Sequence, residues 1–229
     1  MKAGRITLAL VAALALASGA TPASAKSKRG IDVSRFQGTI GWKQVGQTKI
    51  RFAYAQASRG SGGDCLVVPE ECGADATYDR NYRNAKAVGI RVGAYHRAFA
   101  SGRTPEAARA DAREEANLFI EATGKVRSQD LRPALDVETP FDDMTEGSLV
   151  AWIRAWLARV EEKLNVQPII YTNLSSWQAT GGTTEFAEAG HSLWVANFDV
   201  KRPAVPAEDW AGRGWAIWQY TSTGRVRGV

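Results

Sequence analysis

Short runs of β-branched and aromatic residues alternate along this chain with segments whose apolar residues recur at helical spacing. The runs predict strands at 30–34, 51–58, 90–96, 132–138 and 167–172, followed by two later strands at 193–197 and 215–220. The intervening segments predict helices at 42–45, 78–88, 104–122 and 149–164. Because strand and helix alternate through five units, the pattern predicts an α/β fold with a parallel sheet, and we expect a barrel.

The run 132–140 carries the most informative polar residues. Asp136 and Glu138 are two residues apart, so on a strand their side chains share one face, and Leu135 and Val137 share the other. Two strand residues span about 6–7 Å, which lies within the range that glycosidases use for paired catalytic carboxylates. The alternative is a strand end that carries two solvated acids.

Further polar residues lie at the ends of other predicted strands. In α/β barrels, function collects at the carboxyl ends of the strands. Tyr95, Tyr171 and Asn197 lie at such ends, as the carboxylate pair does. We therefore predict that these three residues line the same site and contact its substrate.

The first 25 residues differ from the rest of the chain. Two basic residues precede an apolar run at 6–20, and a small-x-small cleavage site follows at 23–25. This arrangement predicts a secretory signal peptide at 1–25 and one mature domain at 26–229, exported to the periplasm or the cell exterior. The alternative is an uncleaved membrane anchor, but the apolar run is shorter than the roughly 20 residues that a span needs.

Charge and cysteine content narrow the choice of partners. Removing the signal segment takes away two basic residues and no acidic one, so the formal net charge falls from +5 to +3. No basic cluster with interleaved aromatic residues is present, which argues against a nucleic-acid partner. Cys65 and Cys72 are the only cysteines, and an even count in an exported chain predicts a disulfide. Both histidines are far from them in sequence, so no metal site is predicted.

Six short runs, taken together, resemble the glycoside hydrolase family 25 lysozymes, the Chalaropsis-type N-acetylmuramidases. They occur in the family's order and span nearly the whole mature chain: Gly30-Ile31-Asp32-Val33-Ser34, Gly93-Ala94-Tyr95-His96, Leu135-Asp136-Val137-Glu138, Ile170-Tyr171-Thr172-Asn173, Leu193-Trp194-Val195-Ala196 and Ile217-Trp218-Gln219-Tyr220-Thr221-Ser222. The resemblance implies a distorted TIM-like barrel, with five β/α units followed by antiparallel strands. It also implies hydrolysis of the β-1,4 bond between N-acetylmuramic acid and N-acetylglucosamine. The expected partner is the peptidoglycan glycan strand, bound by a monomer that needs no cofactor.

The resemblance also assigns roles to three carboxylates. It implies that Glu138 is the general acid, that Asp136 stabilises charge developing at the sugar or its N-acetyl group, and that Asp32 completes the acidic cluster. Two carboxylates about 6.5 Å apart repel by roughly 2–3 kcal/mol at an effective dielectric near 20, which favours a proton on one of them. The sequence does not fix which one. The attacking group also stays open between a side chain, a water molecule and the substrate's own acetamido group, which we prefer.

Aromatic residues beside the predicted site have two interpretations. Trp194 and Trp218 lie on strands and are either sugar contacts or core residues, and the same alternatives hold for Tyr95 and Tyr171. His96 follows Tyr95 directly, so on a strand it faces the opposite side. We therefore predict that His96 packs in the core rather than acting as a base.

One family feature is not found. The family pattern carries another aspartate in a last segment resembling Val-Asp-x-Asn, whereas this sequence has no acidic residue after Asp209. Either the sequence lacks its C-terminal strand, or the protein works without that carboxylate. A catalytically impaired wall-binding barrel is therefore an alternative, and so is a glycosidase that acts on another acetamido-sugar polymer such as chitin.

Overall fold

A computed structural model describes residues 27–61, 72–141 and 144–229. The predicted signal peptide lies outside the described residues. So does Cys65, one partner of the predicted disulfide. Both expectations therefore stay predictions.

The described residues form one curled sheet of eight strands. Its order is β1-β2-β4-β5-β6-β7-β8, and β3 pairs with β2 on the side. Only the β2–β3 pair is antiparallel among the described strands. The strands are β1 (Arg29–Val33), β2 (Ile50–Arg59), β3 (Gly73–Ala74), β4 (Arg91–Arg97), β5 (Ala134–Asp136), β6 (Ile169–Asn173), β7 (Leu193–Ala196) and β8 (Ile217–Gln219).

Helices cover the outer face of this sheet. They are α1 (Trp42–Gly46), α2 (Tyr78–Ala87), α3 (Pro105–Thr123), α4 (Glu146–Leu164), α5 (Leu174–Trp177), α6 (Glu185–Glu188) and α7 (Pro206–Ala211). Each of the two long helices begins at a threonine cap, because Thr104 and Thr145 each accept a hydrogen bond from a backbone N–H of the first turn. Within the described residues, no helix has the length and apolarity that a bilayer span requires.

The side chains of the sheet supply two separate apolar layers. The larger layer lies between sheet and helices and includes Leu135 and Val137 of the carboxylate run. The smaller layer fills the concave side of the sheet and includes Ala134 and Tyr54. Gly93 makes room in this inner layer, since a Cβ atom there would lie 2.4 Å from the Tyr54 ring. The predicted alternation along β5 is therefore confirmed, and Asp136 faces the concave side.

The antiparallel strands expected after the fifth unit are not confirmed. β7 pairs in parallel with β6, and β8 pairs in parallel with β7. The connections at 174–192 and 197–216 contain α5, α6 and α7, and they exceed the dozen or so residues that a parallel crossover needs. These helices have only four to six residues, too few to show a helical period in the sequence.

The two edge strands approach each other without backbone pairing between the described residues of β1 and β8. Their link is a side-chain contact, in which Gln219 Nε2 donates to Asp32 Oδ2 at 3.0 Å. Nearby, the Gly41 N–H donates to the carbonyl of Gly228 at 2.7 Å, so the last residues lie against the start of α1. The sheet is thus a curled, open form of the predicted barrel.

Helix α7 is a left-handed turn. Its residues Ala207 to Ala211 have φ between 51° and 58°, in a region that non-glycine residues rarely occupy. The Trp210 side chain is buried, and its Nε1 donates to the carbonyl of His191 at 2.7 Å. Tertiary packing of Trp210 therefore holds a backbone conformation that the local sequence disfavours.

Candidate active site

Three carboxylates meet on the concave side of the sheet, towards the carboxyl ends of its strands. Asp136 ends β5, Glu138 follows two residues later, and Asp32 lies on β1. The charges of Glu138 and Asp32 both act on Asp136, which shows that the three groups share one electrostatic environment. The structure thus brings together the three residues predicted as catalytic. The described residues contain no group of side chains arranged to hold a metal ion.

Asp136 is the buried member of the cluster. The residue is 7% exposed, and its Oδ1 receives no hydrogen bond from the described residues. Burial raises the pKa of Asp136 well above its usual range, the nearby Arg97 opposes this, and the charges of Glu138 and Asp32 add to it. The surroundings of Asp136 therefore strongly favour the protonated, neutral form of its carboxyl group.

Glu138 and Asp32 are more open to solvent. The Glu138 side chain is 33% exposed, and its Oε1 lies 3.2 Å from Nε of Arg97. Asp32 is exposed, yet desolvation by the surrounding protein raises its pKa, and the hydrogen bond from Gln219 opposes this effect. The expectation that Glu138 rather than Asp136 carries the shared proton stays a prediction.

Polar partners surround the three carboxylates. Tyr171 donates its hydroxyl to Gln219 Oε1 at 2.9 Å, and the same amide donates to Asp32, so Gln219 connects β6, β8 and β1. Burial raises the pKa of Tyr95, and the charges of Asp32 and Asp136 raise it further. Burial likewise raises the pKa of Tyr171, and Asp136 adds to the effect. Both phenols are therefore neutral hydrogen-bonding groups.

A cleft of about 400 Å³ opens beside Glu138. Its walls come from the carboxyl ends of β6 and β7 and from the segments that follow β5, β6 and β7. They combine amide, hydroxyl and apolar side chains, a mixture typical of pockets for small molecules. The lining residues are Glu138, Tyr171, Asn173, Leu174, Ser175, Gln178, Ala196, Asn197, Phe198 and Ala204. Two predicted contact residues, Tyr171 and Asn197, are among them.

Comparison with known proteins decides the family. The model of glycosyl hydrolases family 25 matches residues 31–229 of this chain. The chain belongs to glycosyl hydrolase family 25. The predicted family is thereby confirmed.

Relatives of this family 25 chain include curated lysozymes. It is 33% identical over 216 residues to Lysozyme M1 of Streptomyces globisporus, which covers 91% of this chain and 66% of that protein. It is 28% identical to the N,O-diacetylmuramidase of Chalaropsis sp, covering 83% of this chain and 86% of that protein. The chain therefore spans just under two thirds of the length of Lysozyme M1.

A solved structure agrees with the fold of this family 25 chain. The crystal structure of the bacterial lysozyme from Streptomyces coelicolor matches it with a TM-score of 0.73 at 33% identity, covering 87% of this chain and 86% of that one.

Two tryptophans predicted as sugar contacts do not line the cleft of the family 25 chain. Trp194 is 5% exposed and packs between Tyr54 and Tyr171, with ring centroids 4.7 and 4.9 Å away. Trp218 packs against the outer layer, and its Nε1 donates to the carbonyl of Asn197. The structure therefore places Trp194 in the inner core and Trp218 on the opposite face of β8 from Gln219.

His96 lies behind the site, as its position on β4 predicts. Its Nδ1 lies 2.8 Å from Ser58 Oγ, and its Nε2 lies 2.5 Å from Glu115 Oε2. Burial lowers the pKa of His96 to about 3, so the imidazole is neutral. Because a carboxylate only accepts, Nε2 carries the proton and Nδ1 accepts from Ser58. Glu115 also accepts from the N–H of Phe99 and so supports the loop after β4.

Sequence reasoning missed Arg97 and Gln219. These residues contact the carboxylates of the site: Arg97 contacts Glu138, and Gln219 contacts Asp32. Arg97 is the ladder partner of Asp136, one residue beyond the predicted end of its strand. Gln219 lies two residues after Ile217, whose side chain belongs to the inner layer. Period-two alternation along β8 was the available signal for Gln219.

Proposed function

We propose that this chain is a peptidoglycan hydrolase that cleaves the β-1,4 bond between N-acetylmuramic acid and N-acetylglucosamine. The family assignment and the lysozymes and muramidases among its relatives support this reaction. The observation that carries the proposal is the carboxylate pair after β5. One member opens into the cleft, and the other is buried with an oxygen that has no hydrogen bond from the described residues.

In this proposal Glu138 is the general acid. Its carboxyl lines the cleft, where it can donate a proton to the glycosidic oxygen as the bond from that oxygen to the anomeric carbon breaks. The carboxylate left behind then accepts a proton from the water molecule that completes hydrolysis. Glu138 thus recovers its proton, and one water molecule is consumed in each turnover.

Asp136 acts on the acetamido group of the substrate. A carboxylate oxygen of Asp136 accepts the acetamide N–H, which turns the acetamide oxygen towards the anomeric carbon as the internal nucleophile. The positive charge that develops on the acetamido group then lies beside a carboxylate. Asp32, which accepts a hydrogen bond from Gln219, completes the acidic cluster. Tyr95, Tyr171 and Asn197 contact the sugar.

The proposal is tested with the mature chain, Lys26 to Val229, on purified peptidoglycan and on chitin. We expect soluble fragments that carry N-acetylmuramic acid at the new reducing end, and no comparable release from chitin. Faster release from chitin would identify a glycosidase for another acetamido-sugar polymer. A folded chain that sediments with peptidoglycan but releases no reducing ends would identify a wall-binding barrel instead.

Export and the disulfide belong to the same proposal, because a peptidoglycan hydrolase acts outside the cytoplasm. Expression with residues 1–25 present is expected to yield an exported protein that begins at Lys26. Its intact mass before and after reduction reports whether Cys65 and Cys72 are joined. An exported protein that retains residue 1 would contradict the predicted cleavage.

Gln219→Leu is expected to lower kcat/KM on peptidoglycan about tenfold, because it removes both hydrogen bonds that tie Asp32 and Tyr171 together. It also removes one influence that holds down the pKa of Asp32. Gln129→Leu, at an exposed position outside the cleft lining, is the matched control. Equal activity of the two variants would show that the Gln219 bridge does not contribute.

A further inference from the structure

We propose that Arg97 is a positioning residue that sets the charge of the Asp136–Glu138 pair and thereby the pH range of hydrolysis. The proposal rests on the proposed function, because it assumes that the pair performs the reaction. It concerns a residue that is neither a carboxylate nor part of the cleft lining.

The backbone holds the Arg97 guanidinium in one orientation. Its Nη1 donates to the carbonyls of Ala98 and Glu138 at 2.6 and 3.0 Å, and its Nη2 donates to that of Thr139 at 2.9 Å. One face lies 5.1 Å from the centroid of the Phe99 ring. These carbonyls belong to residues that follow β4 and β5. The planar guanidinium therefore connects the end of the strand that carries Arg97 to the end of the strand that leads to the carboxylate pair.

The guanidinium also lies close to both carboxylates. Arg97 Nε lies 3.2 Å from Glu138 Oε1 and 3.9 Å from Asp136 Oδ2, and the Arg97 side chain is only 13% exposed. A guanidinium has no neutral form at accessible pH, so this positive charge is permanent. One fixed cation thus contacts both members of the pair.

Other charged and titratable groups also face the pair. They are Asp32 from β1, Arg59 from β2, Tyr95 from β4 and Tyr171 from β6. The two phenols are neutral, and Asp32 adds negative charge. The positive charge of Arg97 lowers the pKa of Asp136 more than the positive charge of Arg59 does. Removing Arg97 therefore leaves three carboxylates with much less positive charge nearby to balance their negative charge.

The consequence is a shift in the pH at which the pair loses its protons. Without a cation 3.2 Å from one carboxylate and 3.9 Å from the other, the coupled pair retains a proton to higher pH. In Arg97→Gln we expect the alkaline limb of the kcat/KM profile to move up by about one pH unit. Arg97→Lys keeps the positive charge but loses the planar set of N–H donors of the guanidinium. We therefore expect the alkaline limb of its kcat/KM profile to stay near that of the wild type, while kcat falls a few-fold.

The experiment measures kcat/KM on peptidoglycan from pH 4 to pH 9 at constant ionic strength. Wild type, Arg97→Gln, Arg97→Lys and the control Arg109→Gln are compared. Arg109 lies on α3 and forms a surface ion pair with Glu106, so this control removes a positive charge that is not part of the carboxylate cluster. A glutamine variant whose profile falls at every pH without moving along the pH axis would overturn the proposal, since a purely structural role predicts that result.

A second measurement does not depend on activity. Carboxyl carbons of labelled aspartate and glutamate are titrated by NMR in the wild type and in Arg97→Gln, without substrate. The pair's titration midpoints are expected to rise in the variant, and unchanged midpoints would overturn the proposal. Arg97→Met keeps the aliphatic stem and replaces the glutamine variant if that variant does not fold. A wild type that hydrolyses nothing would refute the proposed function while this titration still decides the role of Arg97.

Discussion

Replacing Glu138 with glutamine is expected to lower kcat on peptidoglycan by at least about a thousandfold. The amide has almost the same shape, and its oxygen can still face Arg97 Nε, which lies 3.2 Å from the native carboxylate. What is lost is the ability to give a proton to the glycosidic oxygen and to take one from water. The measurement is the initial rate of reducing-end release by variant and wild type at equal concentration.

Controls separate lost chemistry from lost structure in this variant. Glu161→Gln makes the same substitution at an exposed position on α4 and should leave the rate unchanged. The thermal unfolding midpoint of Glu138→Gln should match that of the wild type within a few degrees. Retention of more than about a tenth of the wild-type rate would exclude Glu138 as the general acid, since proton transfer contributes roughly a hundredfold or more.

Replacing Asp136 with asparagine is expected to reduce activity and increase stability. The amide cannot supply the negative charge that stabilises the substrate's developing positive charge, so kcat should fall by about a hundredfold or more. The folded protein, however, no longer has to hold a buried carboxylate that desolvation disfavours. The two effects have opposite signs because the charge that serves the reaction costs folding free energy.

The stability gain depends on pH in a defined direction. The folded-state pKa of Asp136 is raised above the unfolded value near 3.9, so ionisation penalises the folded wild type as pH increases. The difference between variant and wild type should be small below about pH 4 and largest at neutral pH. Urea unfolding at pH 4 and pH 7 measures it. Asp79→Asn, at an exposed position of α2, is the control. A variant less stable than wild type at pH 7 would contradict the prediction.

Alternation along a strand predicted the carboxylate pair because β5 has apolar residues on its outer face and Asp136 at its inner end. The same reasoning did not decide whether Trp194 lies in the core or lines the cleft. In a curled sheet the concave side also has an apolar layer, and Trp194 belongs to that layer with Tyr54 and Tyr171. An inward-facing aromatic residue is therefore either core or cleft according to its depth along the strand, which the sequence pattern does not record.

Other features depend on contacts between residues distant in sequence. Arg97 looks like a charged residue at a strand end, and only the register of β4 against β5 places it beside Asp136. Gln219 lies 187 residues after Asp32, so no local pattern reveals their hydrogen bond. The short helices α5 to α7 are likewise determined by packing, since they have too few residues to form alone.

The left-handed turn of α7 has a consequence for the order in which the protein folds. Five non-glycine residues in this conformation cost roughly 1–2 kcal/mol each, a sum comparable with the whole stability of many domains. Such a turn cannot nucleate by itself. It forms only once Trp210 can bury its ring and donate to the carbonyl of His191, which requires the segment before β7 to be in place. We therefore expect the region between β7 and β8 to acquire its native backbone late, after the carboxylate-bearing strand has paired with its neighbours.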